Sequence, residues 1–470
     1  MKKFSPLLIV VFALTLVLTL VSCEFFEGQT TIATTSSTSN TSTQPNNPPV
    51  DNHEHSFGDW ITVKEPTTTE EGLMERYCEC GEKESKIIDK LIEELKSSEG
   101  LIFELNDDKN SYSVVGIGTC QDLDIVIPNT HEGLPVTCIG YKAFYWCDAI
   151  TGVIIGNSVT VIDDSAFAGC MSLTSLTIPH SVTIIGNSAF LSCYALESIE
   201  IPNSVITIGE SAFRDCSSLT TVVIPDSVVS MGGSSFSSCS SLTSILISRS
   251  VKEISPRAFI GCYNLTNIEV DENNIYYCSI DGNLYNKDAT TLIRYAIGKT
   301  DTSFVIPNTV TTIDIDAFRL AISLTSIEIP DSVTNIGSCA FLDCYALESI
   351  EIPDSVTHID EAAFQGCRSL RTVKMPKYIT TISAYMFQEC RALADIEISN
   401  TVTFIGEYAF ASCHSLTRIV IPESVITIEG EAFSKCSNLT IYCEAASRPK
   451  GWSSNWKSST ISAIWGYTGE

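Results

Sequence analysis

The sequence predicts an α/β solenoid of 23-residue coils, with parallel strands on a concave face and short helical or 3-10 turns on the opposite side. The main observation is a phenylalanine that recurs once in every coil, at a constant spacing, in two files. The file phenylalanines are Phe144, Phe167, Phe190, Phe213, Phe236 and Phe259, followed by Phe318, Phe341, Phe364, Phe387, Phe410 and Phe433. A fixed period of this length is typical of units that bury their apolar faces only by stacking on their neighbours. We therefore expect function on an extended, repeated surface.

The repeat that spans Ile201–Ile224 shows how the parts of one coil are predicted. Leu219, Val222 and Ile224 are apolar residues separated by small polar ones, a pattern that indicates a short strand with one buried face. A proline followed by Asn or Asp then ends the strand in a turn. Gly209 permits a corner, and the Ser-Ala-Phe-x-x-Cys segment that follows it suits a single helical turn or 3-10 segment.

An interruption separates the two files. Phe259 ends the first file and Phe318 begins the second, and the segment between them is longer than two coils require but shorter than three. Asp281-Gly282, flanked by apolar residues, is a strong hairpin signal. We therefore predict a hairpin insertion near residues 271–306, inside one solenoid that covers residues 101–445, with the register resuming at Pro307. Two solenoid blocks joined by a hinge are the alternative.

The repeated pattern Ile-Pro-x-Ser-Val-Thr-x-Ile-Gly-x-x-Ala-Phe-x-x-Cys-x-x-Leu resembles the BspA-type (Treponema-like) leucine-rich repeat. The resemblance covers about residues 111 to 445 and recurs a dozen times. It implies a leucine-rich repeat solenoid, and it implies attachment to host matrix proteins or to other cells as the use of the repeated surface. The residues themselves do not select a partner.

The charge balance and the absence of catalytic motifs narrow the class of function. The chain has 28 Lys and Arg residues against 56 Asp and Glu residues, a formal net charge of −28. So acidic a chain argues against binding nucleic acid or anionic membrane surfaces. The sequence contains no Gly-x-Ser-x-Gly and no His-Glu-x-x-His motif, and the histidines within the regular coils occupy different positions of the repeat. We therefore predict a protein that is not an enzyme.

The N-terminal segment predicts the location of the protein. Residues 7–20 are apolar and follow two lysines, and Leu20–Cys23 matches the lipobox of bacterial lipoproteins. We predict a lipoprotein signal peptide over residues 1–22 and lipid attachment at Cys23, which places the protein on the extracellular face of a bacterial membrane with no other membrane contact. An uncleaved anchor or ordinary secretion is the alternative. Residues 23–50, rich in Thr, Ser, Asn and Pro after the lipidated cysteine, predict a flexible stalk.

Residues 51–95 differ in composition and predict a small His/Cys module. His53, His55, Cys78 and Cys80 are residue types that together make a tetrahedral structural zinc site. Cys-x-Cys is an uncommon spacing for such a site, so a single disulfide or two free thiols is the alternative. Apart from this structural zinc, the sequence predicts no cofactor.

A cysteine column accompanies the phenylalanine files. Eleven cysteines follow a file phenylalanine by three residues, and Ala321 occupies the remaining position. The column cysteines are Cys147, Cys170, Cys193, Cys216, Cys239, Cys262, Cys344, Cys367, Cys390, Cys413 and Cys436. Because alanine replaces cysteine once, the position favours a small buried residue. Coils stack roughly 4.8 Å apart with parallel side chains, which does not fit disulfide geometry, so we predict buried reduced thiols.

The exposed side of the predicted strands is the candidate partner-binding surface. One residue of each strand lies between two inward residues and points outward. These outward residues are Glu200, Val223, Leu246, Glu269, Glu328, Glu351, Lys374, Glu397 and Val420. Solenoids present extended sheets to partners, so this surface is expected to contact extracellular proteins or glycoproteins. The alternative for any one of these residues is an ordinary solvated position on a sheet.

The last segment, residues 446–470, contains Trp452, Trp456 and Trp465 among polar residues. Terminal repeats must cover the open end of the stack, so we predict a C-terminal cap; an aromatic ligand platform is the alternative. Together these features predict a cell-surface binding or adhesion protein. A self-associating structural envelope protein and a carbohydrate-binding surface protein are the alternatives, and the sequence leaves the oligomeric state open.

Overall fold

The computed structural model describes residues 57–64, 66, 71–78, 81–88 and 96–469. These residues belong to one compact unit, Ser56–Glu470. The predicted signal peptide (1–22), the lipidation site Cys23 and the stalk (23–50) lie outside the described residues. Within the part of the chain that is described, no helix is long and apolar enough to cross a membrane.

The described residues between 57 and 88 form a small antiparallel sheet. Its strands, in order across the sheet, are Ile61–Lys64, Gly72–Tyr77 and Lys83–Ile88. The Arg76 guanidinium lies 4.8 Å from the ring centroid of Trp60 and forms an ion pair with Glu84 at 2.5 Å. A cation over an aromatic face is attracted by the ring quadrupole, so these contacts support a sheet too small to bury a large core.

The regular coils contribute segments to two sets of parallel strands, and we call the set of mostly longer strands the strand face. The coil that contains Glu200 is an exception, because it has no strand in this set. Its strands are Asp124–Ile127, Gly152–Ile155, Ser175–Thr177, Thr221–Val223, Ser244–Ile247, Asn267–Val270, Ser303–Val305, Ser326–Glu328, Ser349–Glu351, Thr372–Lys374, Asp395–Ile396, Arg418–Ile421, Thr440–Cys443 and Ser462–Trp465. Neighbours pair one coil apart, as Leu176 does with Val153. The predicted stack of parallel strands is therefore confirmed, while the concave shape of the strand face stays a prediction.

The second set consists of shorter strands on another side of the coils. They are Leu134–Ile139, Val161–Ile162, Ile184–Ile185, Thr207–Ile208, Ser230–Met231, Glu253–Ile254, Thr312–Ile313, Asn335–Ile336, His358–Ile359, Thr381–Ile382, Phe404–Ile405, Thr427–Ile428 and Gly451–Trp452. Their pairing is also parallel, for example Ile162 with Ile185. The Val-Thr-x-Ile part of the repeat therefore forms the second strand of each coil.

The solenoid begins with an antiparallel pair of strands, Ile102–Leu105 and Tyr112–Gly116. Tyr112–Gly116 then pairs in parallel with Leu134–Ile139, which starts the shorter-strand set. Thr130–His131 pairs antiparallel with the same strand. An antiparallel pair thus provides the surface on which the first parallel coil stacks.

The segment around each file phenylalanine is not helical, so the prediction of helical or 3-10 turns is wrong. In one coil the amides of Ser211, Phe213 and Asp215 each donate to a carbonyl of the next coil at 2.8 Å. Only the alternate amides bond within the coil, three residues back. A helix needs consecutive amides to bond within the segment. Ser211 and Asp215 interrupt that series with left-handed φ values of 55° and 62°, and no described residue of the chain is helical.

The file phenylalanines form the centre of the core. All twelve are at most 1% exposed. Phe213 stacks on Phe190 with 5.3 Å between ring centroids and on Phe236 with 5.2 Å. The stacking predicted from the constant spacing of the files is therefore confirmed.

The column cysteines lie beside these rings and make a specific hydrogen bond. Ten of them, from Cys170 onward, donate their thiol to the carbonyl of the phenylalanine 26 residues earlier, at 3.1 to 3.3 Å. The thiol therefore supplies a donor to a core carbonyl, which alanine cannot do. Burial raises the pKa of Cys193 and Cys262 to about 12, so these sulfur atoms stay protonated at neutral pH.

The consensus threonine, serine and glycine residues have structural roles of their own. The hydroxyl of Thr183 donates to a carbonyl one coil earlier at 3.2 Å, and that of Ser355 does so at 2.8 Å. A side-chain Cβ on Gly209 would lie 2.5 Å from the carbonyl carbon of Gly186. Glycine is therefore required at this corner because neighbouring coils approach closely.

The interruption at residues 271–302, here called the junction, contains three strands. They are Tyr277–Ile280, Asn283–Asn286 and Thr291–Arg294. The first two pair antiparallel across the Asp-Gly turn, and the third pairs in parallel with Thr312–Ile313. We call residues 112–270 the first block and residues 303–465 the second block.

The register of the repeat resumes before Pro307, the position inferred from the sequence. Tyr295 lies one coil before Phe318 and stacks on its ring at 5.4 Å between centroids. Ser303–Val305 pairs in register with Ser326–Glu328. Tyr295 therefore occupies the file position of an additional coil, and the extra residues of the junction lie before it.

The predicted cap region, 446–470, contains two strands that continue both sets. Gly451–Trp452 joins the shorter strands and Ser462–Trp465 joins the strand face. Trp456 is 3% exposed and packs edge-on against Phe433 with 5.8 Å between ring centroids. The aromatic residues of this region therefore belong to one further coil that covers the last file phenylalanine.

Candidate binding face

The strand face separates buried from exposed side chains residue by residue. In the strand Ser349–Glu351 the central Ile350 is buried, whereas both flanking residues are exposed. The predicted outward residues that are exposed are Glu200, Val223, Leu246, Glu269, Glu328, Glu351, Lys374 and Glu397. Val420 is half-buried. The outward column is therefore a free surface in both blocks.

A groove of about 1080 Å³ runs along the strand face at the start of the second block. Its polar and charged lining includes the serines Ser303, Ser326 and Ser349, the outward residues Glu328, Glu351 and Lys374, and the turn residues Asn308, Asp331 and Asp354. Within each of these three groups, successive members are one coil apart. Stacking of identical coils thus turns repeat positions into parallel rows of side chains along the groove.

Two lysines neutralise carboxylates at one end of the groove. Lys374 pairs with Glu351, and the Lys377 ammonium lies 2.7 Å from a carboxylate oxygen of Asp354. The Lys377 side chain and backbone amide both donate to Asp354, which lowers the pKa of that carboxyl. Both ion pairs are solvent-exposed, so they contribute little to stability but remove net negative charge from this end.

The carboxylates at the centre of the groove carry unbalanced charge. Glu328 and Asp331 are exposed and form no ion pair with any residue that the structure describes. One coil earlier, Val305 is 62% exposed at the position equivalent to Glu328. The groove therefore offers negative charge directly beside an apolar contact.

The groove brings together three of the residues predicted from the sequence, namely Glu328, Glu351 and Lys374. The predicted residues outside it are Glu200, Val223, Leu246 and Glu269 in the first block, and Glu397 and Val420 in the second. The predicted column is therefore divided between the groove and two flanking stretches of the strand face.

Several lining residues were missed by sequence reasoning, among them one outward residue and two turn residues. Val305 lies one coil before Glu328, so the outward column extends further towards the junction than predicted. Asp331 and Asp354 occupy the turn after successive strands and are likewise one coil apart. The constant spacing thus contains the signal, but the sequence pattern of the turn predicts only the end of a strand.

The strand face of the first block has a different chemistry. Val223 and Leu246 pair across neighbouring strands and are 60% and 37% exposed. Ile154, at the same position of an earlier coil, is 40% exposed. This part of the face therefore offers an adjacent apolar pair, with the exposed Glu200 and Glu269 in the coils on either side of it.

The predicted zinc site falls mostly outside the described residues, because His53, His55 and Cys80 are not among them. Cys78 is buried, its amide donates to Glu82, and its carbonyl accepts from the amide of Gly81. Among the residues that the structure describes, no three metal-ligating side chains come together. Zinc binding by this module stays a prediction.

A smaller pocket of about 620 Å³ lies in the terminal coil. Trp456, Trp465 and Lys457 are among its lining residues. The Lys457 ammonium is held by the carbonyl of Ile461 at 2.6 Å. Because Trp456 also packs against Phe433, part of the pocket lining belongs to the end of the hydrophobic core.

A model of the BspA-type leucine-rich repeat region matches residues 137–266, 298–417 and 340–444, together more than half of the chain. No curated protein sequence matches the chain.

Several solved structures have a similar fold. A leucine-rich cell surface protein of Faecalibacterium prausnitzii is 30% identical, with 80% of this chain and 98% of that chain covered and a TM-score of 0.54. A leucine-rich repeat protein of Eubacterium ventriosum is 24% identical over 80% and 95% of the two chains, with a TM-score of 0.55. The pneumococcal vaccine antigen PcpA is 22% identical over 79% and 98%, with a TM-score of 0.65.

Proposed function

The chain belongs to the BspA-type leucine-rich repeat family, and we propose that it is a cell-surface binding protein whose strand face holds basic segments of extracellular proteins. Leucine-rich repeat solenoids of this kind typically act as binding scaffolds and not as enzymes. The observation that carries the proposal is the groove of the second block, where Glu328 and Asp331 lie beside the exposed Val305.

The chemistry of the groove favours an extended, basic polypeptide. Successive coils are about 4.8 Å apart, so the outward side chains form a regular row of contacts across the strands. A lysine or arginine of the partner would face Glu328 and Asp331, and a neighbouring apolar side chain would cover Val305. The formal net charge of −28 attracts a cationic partner over a longer range and raises its rate of association.

The cell-surface location has separate support. The similar protein of Faecalibacterium prausnitzii is described as a cell surface protein. The lipobox around Cys23 adds a lipid anchor to the proposal, with residues 23–50 as the stalk. Mass spectrometry of the mature N-terminus tests the anchor, since an unmodified Cys23 would contradict it.

A charge-reversal experiment tests the binding site. In Glu328→Lys/Asp331→Lys the groove loses its unpaired carboxylates, so affinity for a peptide of alternating lysine and valine should fall by about tenfold or more and lose most of its salt dependence. The matched control is Glu361→Lys/Glu407→Lys, which makes the same change in charge at exposed positions beside the file phenylalanines. Binding measured by fluorescence anisotropy should change less than about twofold in the control.

The control separates a specific groove from a general charge effect. If both double variants weaken peptide binding equally, the net charge and not the groove is responsible. If only the control loses affinity, the site lies on the side of the file phenylalanines. Melting curves of both variants should stay close to that of the unchanged protein, because these exposed residues pack against little.

A further inference from the structure

The core of the solenoid is divided into two parts at the junction. One continuous set of buried apolar residues runs from Val114 to Ala296, and a second runs from Tyr285 to Ile461. Ring contacts follow the same division. They connect Phe144 to Phe259 in one run and Tyr295 to Phe433 in another, and no ring contact among the described residues joins the two runs.

The strands of the junction form the partition between these cores. Leu284 is buried in the first core, whereas the next residue, Tyr285, is buried in the second. On the following strand, Leu292 belongs to the second core and Ile293 to the first. Successive side chains of a strand point to opposite faces, so one β-ribbon covers both cores at once.

Side chains cover the end of the first block where a regular coil would add a strand. The hydroxyl of Tyr277 accepts from the amide of Ile254 at 3.1 Å and donates to the carbonyl of Lys252 at 3.0 Å. The amide nitrogen of Asn274 donates to the carbonyls of Ser248 and Val251 at 2.8 and 3.0 Å. Several backbone groups near Glu253–Ile254, the last shorter strand of this block, therefore bond to side chains and not to a further strand, as at a covered sheet edge.

The second block begins in the same way as the solenoid itself. At the start of the first block, an antiparallel pair leads to Tyr112–Gly116, which then pairs in parallel with the first coil. At the junction, the antiparallel Asn283–Asn286 leads to Thr291–Arg294, which pairs in parallel with Thr312–Ile313. The second block thus begins with its own antiparallel pair of strands, as the first block does.

Polar groups concentrate where the two blocks meet. The buried Arg294 guanidinium donates to the carbonyl of Asp316 at 2.6 Å and reaches that of Phe259, in the first block, at 3.5 Å. Asp316 is fully buried and pairs with Arg257 of the first block at 3.0 Å. The buried hydroxyls of Tyr285 and Tyr295 have no hydrogen-bond partner among the described residues. A few polar contacts therefore replace the ring stacking that couples neighbouring coils elsewhere.

We propose that the junction is a double cap that divides the solenoid into two separately cooperative folding units, the first block and the second block. In a regular solenoid each coil is stabilised by its neighbours, so a disturbance spreads from coil to coil. At the junction one β-ribbon covers both cores, so a disturbance in one block does not spread to the other. The groove is then carried by a unit that holds its geometry independently of the first block.

Native-state hydrogen exchange on the full chain tests this proposal with two variants. Phe236→Leu weakens one coil of the first block. Phe167 and Phe318 both lie three file positions from it, the former in the same block and the latter across the junction. Amides around Phe167 should lose protection by about fivefold or more, whereas those around Phe318 should change less than about twofold.

Phe341→Leu provides the mirror experiment in the second block. Phe410 lies three file positions away in the same block, and Phe259 lies three positions away across the junction. Equal changes at the two sites, for either variant, would overturn the proposal. If a variant unfolds its own block completely, retained protection in the other block supports the division, and loss of protection in both blocks overturns it.

Discussion

The two blocks share their interiors and differ in their exteriors. In both blocks a phenylalanine file is fully buried, and each has five cysteines that donate to a phenylalanine carbonyl one coil earlier. On the strand face, however, the first block exposes Val223 and Leu246, whereas the second block exposes Glu328 and Glu351 in a groove. The repeat therefore determines the scaffold, and the residues that depart from it determine what each block can bind.

This contrast has a physical reason. An inward position must fill a fixed space between neighbouring coils, so departures from the repeat are few there, such as Ala321 for cysteine and Tyr295 for phenylalanine. An outward residue of the strand face packs against little, and its substitution usually changes stability by no more than about 0.5 kcal/mol. Function can therefore differ between blocks at almost no cost in stability.

The largest expected effect is on the shared interior. Phe213→Ala in the first block and Phe364→Ala in the second each remove a fully buried ring. Each should lower the free energy of unfolding of its own block by about 3 to 5 kcal/mol, because the cavity left between coils cannot collapse fully. Unfolding in denaturant, monitored by hydrogen exchange at the amides of each block, measures both free energies. A mild effect in one block and a severe effect in the other would show that the interiors are not equivalent.

A second test of equivalence uses the buried thiols. Burial raises the pKa of Cys193 in the first block to about 12 and that of Cys436 in the second to about 11, whereas thiols of an unfolded chain titrate near about 8.5. The folded state therefore keeps protons that the unfolded state loses. Stability should be unaffected below about pH 8.5 and should fall as the pH rises from there towards about 11, by up to about 1.4 kcal/mol per pH unit for each thiol.

Melting temperatures measured in reductant across this pH range check the sign and the slope. Cys239→Ala and Cys390→Ala each remove one such thiol from one block, so each should make the pH dependence of its own block less steep. A melting temperature that stays constant between about pH 8 and about pH 10 would contradict the titration of the buried thiols.

Much of this interior could be predicted from the sequence, because a buried file leaves a strict period. Phe144 to Phe259 and Phe318 to Phe433 predicted the stack, and the alternation around Leu219, Val222 and Ile224 predicted which strand residues are buried. The turn side was different. Its left-handed residues include Ser211, Asp215 and, in the second block, Tyr385. Nothing in these residue types distinguishes the observed hydrogen bonds between coils from those within a helical turn.

The junction and the groove show two other limits of the sequence. Tyr295 occupies a position of the phenylalanine file. A search for phenylalanine at a constant spacing does not find this position, because its residue is tyrosine. The groove depends on which carboxylates are paired, and the pairing of Lys374 with Glu351 requires that side chains from two coils be adjacent. The sequence predicts a row of exposed residues. Only the structure shows which carboxylates beside that row are paired with lysine and which have no ion-pair partner among the described residues.

The smallest expected effect concerns this division. Lys374→Ala removes the exposed lysine that pairs with Glu351, and exposed ion pairs contribute only about 0 to 1 kcal/mol, so the melting temperature should hardly change. The groove gains a free carboxylate, so its affinity for the lysine and valine peptide should rise by about twofold to threefold, with a steeper dependence on salt. Lys252→Ala is the control, because it removes an exposed lysine from the first block and leaves the groove unchanged. Equal gains in both variants would mean that the peptide senses the net charge of the whole chain, and the distinction between the two strand faces would then have no consequence for binding.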